Sequence, residues 1–312
     1  MRAVALLLLC GGCVGTVGTS HEAIIGGVSD TGDPAVVLLV SYPANMSTYY
    51  TCTASVISPK VLVTAAHCVD DAKHAGYTFG MFAGADASAY STASAIAPAL
   101  AAIDAVHAHP DYNPNAPFVA DIGVAILAQP TSVTPLPISR STLSSTLPGQ
   151  PARLIGYGQT TYNTFNASKH EVSTTVDSLP NDDTVLVGDA TRHSCVGDSG
   201  GPALVHLGGV ETIIGVDSYT DTSGCKEPAH YRRTDLYLPF LDSYLPNSVH
   251  DLGVADAAHS SVAEDAGASN VDAAISSPTS DGCAMTGRPA SWNATVALFA
   301  LALLLRRRAT SR

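Results

Sequence analysis

Gly197-Asp198-Ser199-Gly200-Gly201-Pro202 is the stretch on which the reading of this 312-residue chain turns. It sets one hydroxyl among three glycines. A serine hydroxyl is a poor nucleophile at neutral pH, so a base must take its proton during attack. Imidazole can do so because it titrates near working pH. A lone Ser-Gly-Gly is usually a turn, and a lone histidine in a β-rich body is usually structural. Here two further motifs precede the serine: Thr64-Ala65-Ala66-His67-Cys68 and Asp121-Ile122-Gly123-Val124-Ala125.

Together, in this order, the three motifs resemble the trypsin-like (chymotrypsin-fold) serine peptidase family. Ile24-Ile25-Gly26-Gly27 is similar to the family's mature N-terminus, and His109-Pro110-Asp111-Tyr112 and Gly156-Tyr157-Gly158 also match. The resemblance covers residues 24–245. It implies an all-β fold of two packed six-stranded antiparallel β-barrels with a short C-terminal helix. It also implies a serine endopeptidase acting on protein or peptide substrates through an acyl-enzyme. Ser199 would be the nucleophile, His67 the general base and Asp121 the carboxylate that orients the ring. The backbone N–H groups of Gly197 and Ser199 would form the oxyanion hole. Asp198 would pair with the amino group of Ile24, freed by cleavage of Ala23-Ile24. The family usually has Arg or Lys before that bond. Ala23 therefore argues for a non-tryptic trimming peptidase, or for leader removal that ends at Ile24.

The resemblance implies the bridges Cys52–Cys68 and Cys195–Cys225. Other bridges common in animal relatives have no cysteines here, which points to a bacterial member. His193, six residues before Ser199, falls where tryptic enzymes carry the acid that binds Lys or Arg. Ser218-Tyr219-Thr220 aligns with the segment that pairs with the substrate backbone. Thr220 and Ala229 stand where open pockets carry glycine, and Asp217 is placed to face the rear wall and pair with His193. The expected preference is a small or polar uncharged residue before the scissile bond, then an acidic one, and not Lys or Arg. The alternative is a catalytically silent binding protein of the same fold. Retention of all three triad residues weighs against it.

The bulk numbers agree. Apolar residues make up 46% of the chain and charged residues 13%, enough for a sizeable core. A net charge of -12 argues against a nucleic-acid partner. No phosphate-binding loop or dinucleotide fingerprint is present, and the remaining histidines form no metal constellation. No cofactor or metal is expected, and a monomer is expected. Short β-prone runs recur at Val36–Ser41, Ala54–Ile57, Val61–Ala65, Gly123–Leu127, Ala152–Tyr157, Val185–Val187, Ala203–Val205 and Thr212–Val216. Turn residues punctuate them, as in a barrel or sandwich. Leu236 to Leu245 suits a short helix.

The ends differ in kind. Residues 1–20 read as a secretory signal, with Arg2 before the apolar run Ala3–Leu9. A lipoprotein signal at Cys13 is the alternative. Residues 21–23 form a short pro-segment. Residues 246–281 are rich in Ala, Ser and Asp, contain no Lys or Arg, and suit a disordered linker. Residues 282–312 resemble the tripartite MYXO-CTERM sorting signal. Gly282-Cys283 comes first, then an apolar transmembrane run from Ala294 to Leu305, then Arg306-Arg307-Arg308. That run is short against the roughly 20 residues of a stable span, which suits transient membrane contact. A retained C-terminal anchor is the alternative. The expected location is secreted or at the cell surface, on the outer membrane, with processing near Cys283.

Overall fold

The computed structural model describes residues 24–70, 74–115, 118–161, 164–165, 167–221 and 225–246. The expected leader, pro-segment and C-terminal signal with Cys283 lie outside the described residues, as does the linker apart from Pro246.

The aliphatic and β-branched runs become short strands. After the two-residue β1 (Val28–Ser29), six strands follow: β2 (Val36–Pro43), β3 (Tyr50–Ser58), β4 (Val61–Thr64), β5 (Tyr77–Phe82), β6 (Ala101–Ala108) and β7 (Gly123–Leu127). They pair antiparallel in the order β2-β3-β4-β7-β6-β5 and close through the β5–β2 ladder. A short helix, α1 (Ala93–Ile96), sits in the β5–β6 connection. Thr92 caps it by accepting from the Ala95 N–H.

The second half gives β8 (Pro151–Gly156), a small hairpin of β9 (Gln159–Thr161) and β10 (Thr164–Phe165), then β11 (His170–Ser178), β12 (Thr184–Val187), β13 (Pro202–Leu207), β14 (Val210–Tyr219) and β15 (Ala229–Arg233). Six of these form the ring β8-β11-β12-β15-β14-β13, which closes where β13 pairs with β8. The helix α2 (Leu238–Asp242) follows. Two closed six-stranded antiparallel barrels with a short terminal helix are thus the architecture that the motifs implied.

Each barrel has its own apolar core. Barrel one is filled by residues such as Val37, Leu39, Val56, Leu62 and Leu127. Barrel two is filled by Ile24, Leu154, Val185, Val187, Val205 and Tyr231. A third cluster joins strands of both barrels to α2, through Val36, Val63, Val124, Ile155, Leu204, Ile213 and Leu241. Closure leaves the twelve barrel strands of the described residues without an open edge, which only β1 and the β9–β10 hairpin retain.

Several strands lie outside the β-prone runs, and their burial explains why. Along β11, burial alternates with every second residue, yet its sequence is mostly Ser, Thr and charged residues. Every residue of β15, Ala-His-Tyr-Arg-Arg, is buried. Its arginines are neutralised locally. Arg232 reaches Asp183 and the Phe118 carbonyl, and Arg233 pairs with Asp235. Arg153 on β8 meets three carboxylates, those of Asp33, Glu171 and Glu211, and so ties the segment before β2 to barrel two.

Among the described residues no helix is long and apolar enough to cross a membrane. The expected transmembrane run lies outside them.

Candidate active site

Each functional side chain sits just off the end of a strand. His67 lies in a 3-10 turn, Ala66–Cys68, directly after β4. Asp121 comes two residues before β7, which pairs with β4. That pairing brings the two side chains together from 54 residues apart. Asp121 Oδ2 accepts from His67 Nδ1 at 2.9 Å, and Oδ1 accepts from the His67 backbone N–H at 2.8 Å. Ser218 on β14 adds a third bond, its hydroxyl donating to Oδ2 at 2.6 Å.

Asp121 is 0% exposed. Burial pushes its carboxyl up, but the hydrogen bonds and charge of His67, with the Ser218 hydroxyl, outweigh it. The net result is a carboxyl below the ordinary value, and therefore an anion. This anion favours the proton on Nδ1 and leaves Nε2 free to accept one.

Ser199 precedes β13 in barrel two, half-buried, and shares one cleft with His67. Among the described residues no hydrogen bond joins its Oγ to His67 Nε2. Such contacts commonly tighten only when substrate binds. The Ser199 carbonyl accepts from the Thr53 N–H at 2.8 Å, and the Thr53 hydroxyl donates to the Gly197 carbonyl at 3.2 Å. Thr53 on β3 therefore holds the nucleophile loop against barrel one. Nothing local in the sequence marks it, because its role arises only from the meeting of the barrels.

The amides of this loop divide cleanly. Asp198 N–H bonds the Cys195 carbonyl, Gly200 N–H bonds the Asp217 carbonyl, and Gly201 N–H bonds the Asp198 carbonyl. Among the described residues the N–H groups of Gly197 and Ser199 have no protein acceptor. Gly197 (φ 98°) and Gly200 (φ 83°) adopt the left-handed backbone that glycine tolerates. At Gly200 a side chain would also run into Thr64 Oγ1, 2.1 Å from where a Cβ would stand.

Asp198 is buried at 1% exposure. Its oxygens accept from the N–H groups of Gly158 and Cys195, both at 2.8 Å. The Gly-Tyr-Gly motif now has a physical reason. A Cβ at Gly156 or Gly158 would stand 2.2 or 2.6 Å from Asp198 atoms. Burial pushes the Asp198 carboxyl up to about 7 against the pull of those two N–H groups. Among the described residues it has no cationic partner. Ile24, its expected partner, is 0% exposed and packs in the barrel-two core. Its neighbour Ile25 forms an antiparallel bridge with His193.

The residues expected at the specificity pocket do not all behave alike. His193 is wholly buried, and Nδ1 lies 2.9 Å from the Ser194 carbonyl. Its Nε2 has no hydrogen-bond partner. The expected pair with Asp217 is not formed. Asp217 is buried, close enough to Ser194 and Asp198 to feel both. Desolvation first, then the Asp198 charge, raise its carboxyl well above the usual range. Ser218 turns its hydroxyl to Asp121 and so helps hold that carboxylate. Ala229 is fully buried, and Thr220 is half-buried at the end of β14.

Both expected bridges are present, Cys52–Cys68 and Cys195–Cys225, with Cα–Cα distances of 6.2 and 5.1 Å. Among the described residues Cys52, His67 and Cys68 lie close enough to suggest a metal, but the disulfide leaves no thiolate to bind one.

Comparison with known proteins agrees with this geometry. The family model described as Trypsin matches residues 25–241. Bovine (Bos taurus) chymotrypsin-like elastase family member 1 is 26% identical over 259 residues, 73% of this chain and 92% of that protein. Its human (Homo sapiens) counterpart is 24% identical, over 78% of this chain and all of that protein. Phenoloxidase-activating factor 3 of Holotrichia diomphalia is 25% identical, over 70% of this chain and 71% of that protein.

Proposed function

Since the chain belongs to the trypsin family of serine proteases, we propose that it is an endopeptidase in which Ser199, His67 and Asp121 act as the catalytic triad. The observation that carries this reading is the buried Asp121 carboxylate holding His67 Nδ1 at the edge of the cleft that contains Ser199. Ser199 Oγ attacks the scissile carbonyl carbon and gives its proton to His67 Nε2. The N–H groups of Gly197 and Ser199 receive the oxyanion. The C–N bond then breaks, and His67 passes the proton to the departing amine. Water attacks the resulting ester with His67 again as base, and Ser199 is restored.

Activation follows from Asp198 and Ile24. Cleavage after Ala23 would place an ammonium group beside a buried carboxylate that otherwise has no cation. That pairing would order the loop carrying Gly197. The buried position of Ile24 supports this. The two disulfides favour an oxidising compartment, in keeping with export through the N-terminal signal. Display at the surface of a bacterial cell through Cys283 and the C-terminal signal belongs to the same proposal. Substitution of Cys283 should abolish processing and surface sorting.

For specificity we infer a small or polar uncharged residue before the scissile bond, with an acidic residue second. Support comes from His193 in place of an acid and from the side chains at Thr220 and Ala229. The likeness to chymotrypsin-like elastases points the same way. The test is a peptide-library digest with protein beginning at Ile24 and Ser199→Ala as control. Cleavage after small residues, absent from the control, is the expected result. Dominant cleavage after Lys or Arg would refute the specificity, and no cleavage at all would favour the silent binding protein.

A further inference from the structure

The loop that carries Ser199 is built on glycine, yet the proposed reaction needs two of its amides aimed at one point. Gly197 (φ 98°) and Gly200 (φ 83°) stand on either side of the nucleophile. Glycine leaves both backbone torsions wide. Something outside the loop must therefore fix its aim, and Thr53 of barrel one is placed to do so. Thr53 is 0% exposed. Its N–H donates to the Ser199 carbonyl at 2.8 Å, and its hydroxyl donates to the Gly197 carbonyl at 3.2 Å. The second bond belongs to a side chain, so it can be removed while the first remains.

The direction of the hydroxyl bond is forced. The Tyr157 N–H donates to Thr53 Oγ1 at 3.1 Å. A backbone N–H can only donate, so the one hydroxyl proton is left for the Gly197 carbonyl. The peptide plane gripped in this way runs from Gly197 to Asp198. Its other end is held too, where the Asp198 N–H donates to the Cys195 carbonyl at 3.0 Å. The Gly197 N–H lies on the plane before it and the Ser199 N–H on the plane after it. These are the two amides of the loop that have no protein acceptor among the described residues. Their relative aim is set by the plane that Thr53 pins.

Thr53 also belongs to the frame of the base. Thr64 Oγ1, at the end of β4, donates to the Thr53 carbonyl at 2.8 Å. Cys52, next to Thr53 in the chain, is bridged to Cys68, next to His67. The Gly-Tyr-Gly turn is joined as well, since the Gly158 N–H, one residue past Tyr157, reaches Asp198 Oδ1. One buried threonine thus ties the support of His67, the nucleophile loop and that turn together.

We propose that Thr53 is a positioning residue: its hydroxyl fixes the Gly197–Asp198 peptide and so aims the Gly197 and Ser199 N–H groups at the oxyanion. The proposal rests on the peptidase reading above. Thr53 is wholly buried and acts through the loop, not on substrate. Without its hydroxyl, the Tyr157 N–H and the Gly197 carbonyl lose a buried partner. The carbonyl regains one by turning its plane toward water in the cleft, and the aim of both amides turns with it.

The test uses protein beginning at Ile24, with kcat expressed per Ser199 that labels after complete reaction with a fluorophosphonate. Thr53→Val keeps the branched shape and removes the hydroxyl. The expected result is a kcat for peptide amides about 10- to 100-fold lower, with KM unchanged. The Ki of a peptide aldehyde, whose adduct places an oxyanion on the same two amides, should rise by a similar factor. Thr53→Ser should restore both. Thr53→Ala carries the same comparison if Thr53→Val does not fold. A merely structural role would lower the melting temperature and the labelled fraction but leave kcat per labelled site as it was. A fall in that kcat of less than about threefold, below the worth of one hydrogen bond, or an aldehyde Ki that does not move, would overturn the proposal. The parent protein separates the two claims. If its Ser199 labels, an unmoved variant sinks only the role of Thr53. If its Ser199 does not label, the peptidase reading falls and this role with it.

Discussion

Asp121→Asn is expected to lower kcat for peptide hydrolysis by about 10⁴-fold at neutral pH, a magnitude characteristic of serine-peptidase triads in general. The structure shows how the loss arises here. The carboxylate accepts three hydrogen bonds, from the His67 ring, the His67 backbone and the Ser218 hydroxyl. An amide has one oxygen and one NH₂ group, so it cannot satisfy all three. If the NH₂ group faces His67, Nδ1 must become the acceptor. Nε2 then carries the proton and cannot serve as base for Ser199. If the oxygen faces His67, the NH₂ group meets the His67 N–H, donor to donor, and the imidazolium has lost its counter-charge. The change is nearly isosteric, so both barrels should remain folded. Steady-state kinetics with a parallel thermal melt checks both statements. A loss of less than about tenfold would mean that Asp121 does not orient the base.

Protein that keeps His21-Glu22-Ala23 ahead of Ile24 is expected to work about 10²–10³-fold more slowly than protein beginning at Ile24, the range for loss of an oxyanion donor. Asp198 is the reason. Its carboxyl is raised to about 7 by burial, with no cation among the described residues to offset it. It lies between Gly197 and Ser199 in the chain, so pairing it with a cation is expected to shift both of their amides. The same group gives a pH signature. In the extended protein the folded state binds the Asp198 proton more tightly than the unfolded chain does. The stability from that proton is complete below about pH 4 and is lost as pH rises through about 7. The melting temperature of the extended protein should therefore fall between pH 5 and pH 8. In the processed protein the Ile24 ammonium would hold Asp198 ionised, so the fall should be shallower there by the share due to Asp198, while buried Asp217 contributes to both forms. Equal activity of the two forms, or equal pH slopes, would remove the Ile24–Asp198 pair from the mechanism.

Much of this was legible in the sequence, because the triad motifs are local. Gly197 to Pro202 fold as one tight loop whose positive φ at Gly197 and Gly200 calls for glycine, although the space at Gly200 is also closed by Thr64 of barrel one. The β-prone runs likewise became β2 to β4, β7, β8 and β12 to β14. Strands that depend on tertiary context were not legible. The β6 strand is rich in alanine, which carries little strand preference. The β15 strand buries two arginines, of which Arg232 is made tolerable by Asp183, distant in sequence, and Arg233 by Asp235 two residues on. One pocket detail, the Asp217–His193 pair, was not formed, for a related reason. Ser218 and Asp217 are adjacent on β14 and so face opposite ways. Ser218 turned to Asp121, while Asp217 was left among Ser194 and Asp198 rather than beside His193.

The central claim is that Ser199 is an activated nucleophile. It is tested most directly by treating protein beginning at Ile24 with a fluorophosphonate and locating the adduct by peptide mass spectrometry. The account predicts one phosphonyl group per chain on Ser199. His67→Ala should slow labelling by several orders of magnitude, and Ser199→Ala should abolish it. An unlabelled Ser199 in folded, correctly processed protein, or an adduct that persists in Ser199→Ala, would contradict it.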